Sequence, residues 1–248
     1  MPATRLFALT LACLFLPSIA NATDLRVAVA SNFATTLKQL KPIFEKEHDL
    51  RLIIIKGSTG KLFAQIIHGA PYDVFLAADK RRPRILEQKN LIIKNSRLTY
   101  AIGQLALWSS GNTDKNTLNI LKTNKFNKIA IANPKTAPYG EASVQLLKYL
   151  DLYQSIKAKL VRGENISQTY QFVQSGNADI GFVAFAEIKR HNNKHYWLPD
   201  AKTYNPLEQQ LVILKQSSKK IQAKYFTTFL MRQDIQKIIQ QHGYLTAQ

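Results

Sequence analysis

Four short stretches hold the residues from which chemistry could be built, and each lies where an apolar run gives way to a helical pattern. The first run ends in Ala28-Val29-Ala30-Ser31-Asn32-Phe33 and the second in Lys56-Gly57-Ser58-Thr59-Gly60-Lys61. The third turn reads Asn133-Pro134-Lys135-Thr136-Ala137-Pro138-Tyr139-Gly140, and the fourth Gly163-Glu164-Asn165-Ile166-Ser167. Small residues let the main chain approach a guest closely. The hydroxyls of Ser31, Ser58 and Thr59 and the amide of Asn32 add neutral donors. A helix N-terminus presents unpaired N–H groups and about half a positive charge. Several aimed at one cleft would hold an anion without help from lysine or arginine. Taken singly, each turn is better explained by helix capping, for which Ser and Asn are favoured.

The turns can act together only if the elements between them bring them to one place. Strand-like runs at 25–30, 50–55 and 74–77 alternate with helical spacing at 33–47, 61–68 and 80–88. That alternation predicts a mainly parallel α/β sheet. Pro42 falls inside the first helical pattern and is expected to kink it or shift its start. A β stretch covers 98–108, followed by a second series: strand 128–132, helix 140–150, strand 160–161, helix 166–173, strand 180–183 and a further short strand at 197–198. Strand 211–214 and helices 221–231 and 234–242 complete the chain. Two α/β series predict two lobes, with crossings near 98–108 and 203–214 and terminal helices returning to the first. The expected division is 23–102 plus 208–248 against 103–207, with the ligand in the interlobe cleft, facing strand C-termini.

Composition limits the classes of function. The chain has 248 residues, 46% of them hydrophobic, which excludes intrinsic disorder. Lys and Arg number 34 against 16 Asp and Glu, a formal charge of +18. The lysines are scattered, with no dense block beyond Lys80-Arg81-Arg82 and Lys219-Lys220. A solvated basic surface is expected rather than a nucleic-acid footprint. Residues 1–22 combine Arg5, an apolar run and Ala20-Asn21-Ala22, the pattern of a secretory signal peptide cleaved after Ala22. Cleavage would remove Cys13, the only cysteine. The mature chain would then be exported, periplasmic in a Gram-negative cell, and without a thiol for catalysis or metal binding.

Other motifs fail. Gly57-Ser58-Thr59-Gly60-Lys61-Leu62 has too few residues between its glycines for a phosphate loop, and Leu62 stands where a hydroxyl would hold magnesium. His191 and His195 lie four apart, but no third ligand is near in the sequence. There is no nucleophile elbow or His-Glu-x-x-His motif.

The sequence resembles the periplasmic molybdate-binding proteins of ABC transporters. The resemblance rests on Ala28-Val29-Ala30-Ser31, Gly57-Ser58-Thr59-Gly60-Lys61-Leu62, the run from Gly69 to Asp79 (GAPYDVFLAAD), the run from Gly176 to Ala184 (GNADIGFVA) and the terminal His242-Gly243-Tyr244. It implies a type II periplasmic-binding fold, no catalysis and no cofactor. The ligand would be molybdate, and tungstate as a second ligand, with molybdenum held only as its oxyanion and no direct protein ligand. The implied partner is a membrane permease, the receptor being a monomer. Within this resemblance Ser31 donates from the first turn. Thr59 donates from the second, with Ser58 beside it as a capping or secondary donor. Main-chain amides at Tyr139 and Ile166 complete the cage. Some members carry a ligand-binding tyrosine where this chain has Ala184, and Asn32 is the expected replacement. The alternative is a receptor for another oxyanion or small solute on the same fold.

Overall fold

A computed structural model describes residues 23–111 and 117–246; the expected signal peptide lies outside the described residues. The first series comprises β1 (Thr23–Ala30), α1 (Ala34–His48), β2 (Leu50–Gly57), α2 (Thr59–Ile67), β3 (Val74–Leu76), α3 (Arg81–Gln88) and β4 (Leu98–Gly103). The second comprises β5 (Leu105–Trp108), α4 (Thr117–Lys122), β6 (Ile129–Ala132), α5 (Pro138–Tyr149), α6 (Tyr153–Ile156), β7 (Leu160–Gly163), α7 (Ile166–Gln174), β8 (Ile180–Ala184), α8 (Phe185–Arg190) and β9 (Tyr196–Trp197). Then follow β10 (Leu207–Ile213), α9 (Lys220–Met231) and α10 (Gln233–Gln241).

The strands form two sheets, ordered β2-β1-β3-β10-β4 and β7-β6-β8-β5-β9. Each is mixed rather than mainly parallel. β1 pairs in parallel with β2 and β3, but β10 runs antiparallel to β3 and β4. In the second sheet β6 is parallel to β7 and β8, and β5 is antiparallel to β8 and β9. The antiparallel strands arise where the chain changes sheets. β4 ends at Gly103 and β5 begins at Leu105, so Gln104 alone separates strands of different sheets. The return runs from β9 to β10.

Each sheet has its own core. Leu25, Val27, Val29 and Leu52 pack against Leu37, Leu40 and Phe44 of α1. Phe226, Phe229 and Leu230 of α9 and Ile235 and Ile239 of α10 join that cluster, so the terminal helices do return to the first sheet. Leu105, Leu107, Ile129, Ile131 and Phe182 pack against Leu146 and Leu147 of α5 in the second. α1 runs through Pro42 without breaking and stops at Asp49, which takes a left-handed φ of 45°.

Strand register sets what emerges at each sheet edge. Ala30 pairs with Gly57, so the turns beginning at Ser31 and Ser58 leave the first sheet side by side. Ala132 pairs with Gly163, so the turns at Asn133 and Glu164 leave the second sheet in the same way.

Candidate functional site

The four turns meet at one small cavity between the two sheets. Its wall includes Ala30, Ser31, Asn32, Ser58, Thr59 and Ala78 from the first series and Ala137, Pro138, Tyr139, Asn165 and Ile166 from the second. All six residues singled out in the sequence, Ser31, Asn32, Ser58, Thr59, Tyr139 and Ile166, line it, and no lining residue carries a formal charge. The space is tight, about 10 Å³. It suits a compact inorganic ion better than an organic solute, and the walls must yield slightly to admit four oxygens. Two larger clefts, of about 240 and 370 Å³, flank it. They are lined by charged side chains such as Lys189, Arg190 and Glu187, or Lys80, Arg81 and Glu141.

The decisive feature is which donors the fold leaves unspent. At α7, Asn165 caps the helix by accepting from the N–H groups of Ser167 (3.1 Å) and Gln168 (3.2 Å). That leaves the first helical N–H, on Ile166, without an acceptor among the described residues. At α5, Pro138 has no N–H, and Gly140 and Glu141 both donate to the carbonyl of Ala137. The Tyr139 N–H is left over. At α2, Gly60 donates to Thr136 O (2.8 Å) and Leu62 to Ser58 O (3.1 Å), leaving the Thr59 N–H. In the first turn, Ser31 donates to Gly57 O (2.9 Å) and Phe33 to Ala30 O (3.0 Å), leaving the Asn32 N–H. α5 and α7 thus spend the donors of their first turns except for the one at the cavity wall, while α2 sends the Gly60 N–H across to the other sheet.

Helix capping does not account for the hydroxyls. Ser58 sits at the N-cap of α2 yet makes no capping bond. Its Oγ is buried with no hydrogen-bond partner among the described residues. A buried hydroxyl left unpaired costs about 1–3 kcal/mol, so its placement calls for a guest. Thr59 behaves differently, because its Oγ1 accepts from the N–H of Ala78 at 3.2 Å. Thr59 thus fastens α2 to the end of β3 through its acceptor side and keeps its O–H for donation, while Ser58 Oγ is wholly uncommitted. Neither Ser31 nor Asn32 caps α1, whose cap position falls on Phe33 without a side-chain bond.

Asn32 departs most from expectation. Its Nδ2 donates to Gln209 Oε1 (2.9 Å) and lies 3.4 Å from Tyr244 Oη. Tyr244 Oη in turn donates to the Asn32 carbonyl at 2.8 Å. The side-chain donors expected to replace a tyrosine are already engaged, and only the main-chain N–H of Asn32 remains free. Ala184 offers only a buried methyl and is not part of the cavity wall.

The network beneath Asn32 escapes sequence reading. Gln209 is fully buried on β10 beside a register shift, an irregularity that re-aims side chains. Its Oε1 also accepts from Tyr100 Oη (3.0 Å), and its Nε2 donates to Tyr139 Oη at 3.4 Å. Gly103 makes this possible, because a Cβ there would lie 2.2 Å from Tyr139 Oη. Burial pushes the hydroxyls of Tyr100, Tyr139 and Tyr244 above the ordinary phenol range, so they stay protonated as donors. The available signal is Gln209-Gln210 directly before the apolar Leu211-Val212-Ile213 of β10.

The network gives a first prediction. Asn32→Ala strands part of a buried polar cluster, so folding stability should fall by about 1–3 kcal/mol in urea denaturation. An unchanged midpoint would mean that the amide is not committed to Gln209.

His191 stacks on Tyr170 (5.3 Å), which stacks on Trp108 (4.7 Å). Among the described residues no cluster of His, Cys, Asp or Glu could hold a metal. Glu164 pairs with Lys61 at 2.7 Å, both about half exposed, and is not among the cavity-lining residues.

Comparison with known proteins places this geometry. The profile of the bacterial extracellular solute-binding proteins matches residues 25–245. The molybdate-binding protein ModA of Azotobacter vinelandii is 40% identical over 230 residues, covering 91% of each chain. ModA of Rhodobacter capsulatus is 35% identical over 236 residues, 94% of this chain and 92% of that one. The solved structure of the Azotobacter vinelandii periplasmic molybdate-binding protein superposes with a TM-score of 0.86 at 39% identity, over 90% of this chain and 100% of the other.

Proposed function

Because the chain belongs to the bacterial extracellular solute-binding proteins, a family of receptors rather than enzymes, we propose that it captures molybdate outside the cytoplasm and delivers it to the membrane permease of an ABC importer. Tungstate, nearly the same size, is the second ligand. The two sheets act as two lobes, divided at 23–102 plus 208–248 and 103–207. An export signal at residues 1–22 accounts for the location.

One observation carries this reading: the cavity is uncharged and its free groups are donors. The unspent N–H groups of Asn32, Thr59, Tyr139 and Ile166 come from both lobes, and the hydroxyl of Ser58 joins them. Ser31 supplies a further hydroxyl at the wall. Stripping water from a dianion is costly unless each oxygen receives hydrogen bonds. A bond to a charged acceptor returns about 1.5–3 kcal/mol, so roughly half a dozen offset much of the lost hydration. Donors drawn from both lobes also favour the closed form over the open one.

The donor set selects by protonation as well. Molybdate and tungstate are fully deprotonated at neutral pH and need no acceptor. Phosphate retains a proton, which would meet no carboxylate here. Sulfate is likewise fully deprotonated, so it differs from molybdate in size rather than in protonation.

Isothermal titration tests the reading. Molybdate and tungstate should bind at micromolar or lower Kd, with sulfate and phosphate far weaker. The affinity should stay flat from about pH 6 to 9, because no titratable side chain lines the cavity except Tyr139, whose hydroxyl burial keeps protonated. Preference for sulfate or phosphate would overturn the ligand assignment.

A further inference from the structure

The lobes also grip each other beside the cavity, through groups that do not line it. The N–H of Gly60, in the first turn of α2, donates to the carbonyl of Thr136 in the opposite lobe at 2.8 Å. A Cβ on Gly60 would lie 2.9 Å from both Cα and O of Thr136 and 3.1 Å from Arg82 Nη2, so only glycine permits this approach. Arg82 Nη2 donates to the carbonyl of Lys135 at 3.2 Å. The Arg82 side chain is only 7% exposed and is oriented by Asp79, which bonds both its guanidinium and its main-chain N–H. The basic run 80–82 is therefore not a plain solvated patch. Lys80 reaches Glu208 on β10, Arg81 approaches Glu141 on α5, and Arg82 is buried at the seam. The seam also has a flaw: Thr136 Oγ1 is buried without a partner.

We propose that Gly60, Arg82 and Thr136 form an interlobe latch that sets ligand affinity without touching the ligand. This rests on the reading of the cavity as a site that closes on an oxyanion. Gly60 and Arg82 favour the closed arrangement by bonding to main-chain carbonyls of the other lobe. The unpaired hydroxyl of Thr136 opposes it, because opening lets water reach that oxygen. A receptor must release its cargo, and a latch with one unsatisfied group holds the closed state below full strength.

The two substitutions that test this have opposite signs. Gly60→Ala should weaken molybdate binding at least tenfold in calorimetry, and small-angle scattering should show incomplete compaction at saturating molybdate. Thr136→Val keeps the shape and removes the orphan hydroxyl. It should tighten binding about fivefold and make the ligand-free protein more compact. Lys61→Ala, which removes only an exposed interlobe pair, should change Kd less than twofold. The latch is overturned if Gly60→Ala and Thr136→Val both bind like wild type, or if Gly60→Ala weakens binding while compacting fully. If wild-type protein binds no oxyanion, the proposed function fails by itself. The ligand-free scattering then still decides the latch, and equal radii for wild type and both variants would exclude it.

Discussion

Replacing Ser58 by alanine should weaken molybdate binding by about 10- to 100-fold, while the ligand-free protein becomes no less stable and gains up to about 1–3 kcal/mol. The two halves of this expectation have one cause. Ser58 Oγ is buried, bonds to nothing among the described residues and does not cap α2. Removing it takes away an unsatisfied group from the free protein and a charge-assisted bond from the complex. Such a bond contributes about 1.5–3 kcal/mol, which sets the fold-change. Thr59→Ala should behave otherwise, because its Oγ1 accepts from Ala78 N–H and its loss strands that buried amide. Titration and urea denaturation of both variants check this. A Ser58→Ala protein that loses stability but keeps its affinity would show the hydroxyl to be structural.

Ile166→Pro should cost a further 10- to 100-fold or more in affinity and leave the protein folded. Ile166 is the first helical residue of α7, where proline is tolerated and its missing N–H breaks no helical bond. Asn165 before it is extended, with φ −146° and ψ 173°, the backbone that a following proline demands. The change thus deletes one cavity-facing main-chain donor and little else in the backbone. It also trims a buried side chain, since Ile166 is 2% exposed. Ile166→Ala controls for that trimming: it retains the N–H, should lose about 2–4 kcal/mol of stability, and should bind within a fewfold of wild type. Equal affinities for the two variants would remove the main-chain donor from the site.

Most of the architecture could be read from the chain alone, because alternating strand and helix patterns bury in only a few ways. The chain crosses between sheets at Gln104, within the β stretch 98–108, and the terminal helices pack on the first sheet. Three short helices, α4, α6 and α8, are not legible in the sequence, since segments of four to six residues carry too little periodicity to stand out. The antiparallel placement of β10 and β5 was equally hidden. A strand buried on both faces, such as Leu105–Trp108, has the same composition whichever way its neighbours run.

At the site, residue type found the wall but not the division of labour. Ser58 and Thr59 are adjacent and both carry hydroxyls, so nothing local separates them. What separates them is Ala78, brought alongside Thr59 by β3. Asn32 carries two amide hydrogens wherever it stands. Gln209, 177 residues away, and Tyr244, 212 away, engage them. Arg82 reads as one of three surface cations until the second lobe closes over it.

The amino-acid sequence by itself determined that two α/β series would form, that four turns rich in small and neutral polar residues would end their strands, and that a formally uncharged anion site could be made there. These are consequences of local propensity and of main-chain groups every helix start exposes. Only the tertiary structure decided which donors stay free. A hydrogen-bond donor is spent or unspent according to what lies within about 3 Å of it, and across two lobes that neighbour is supplied by residues far away in the chain.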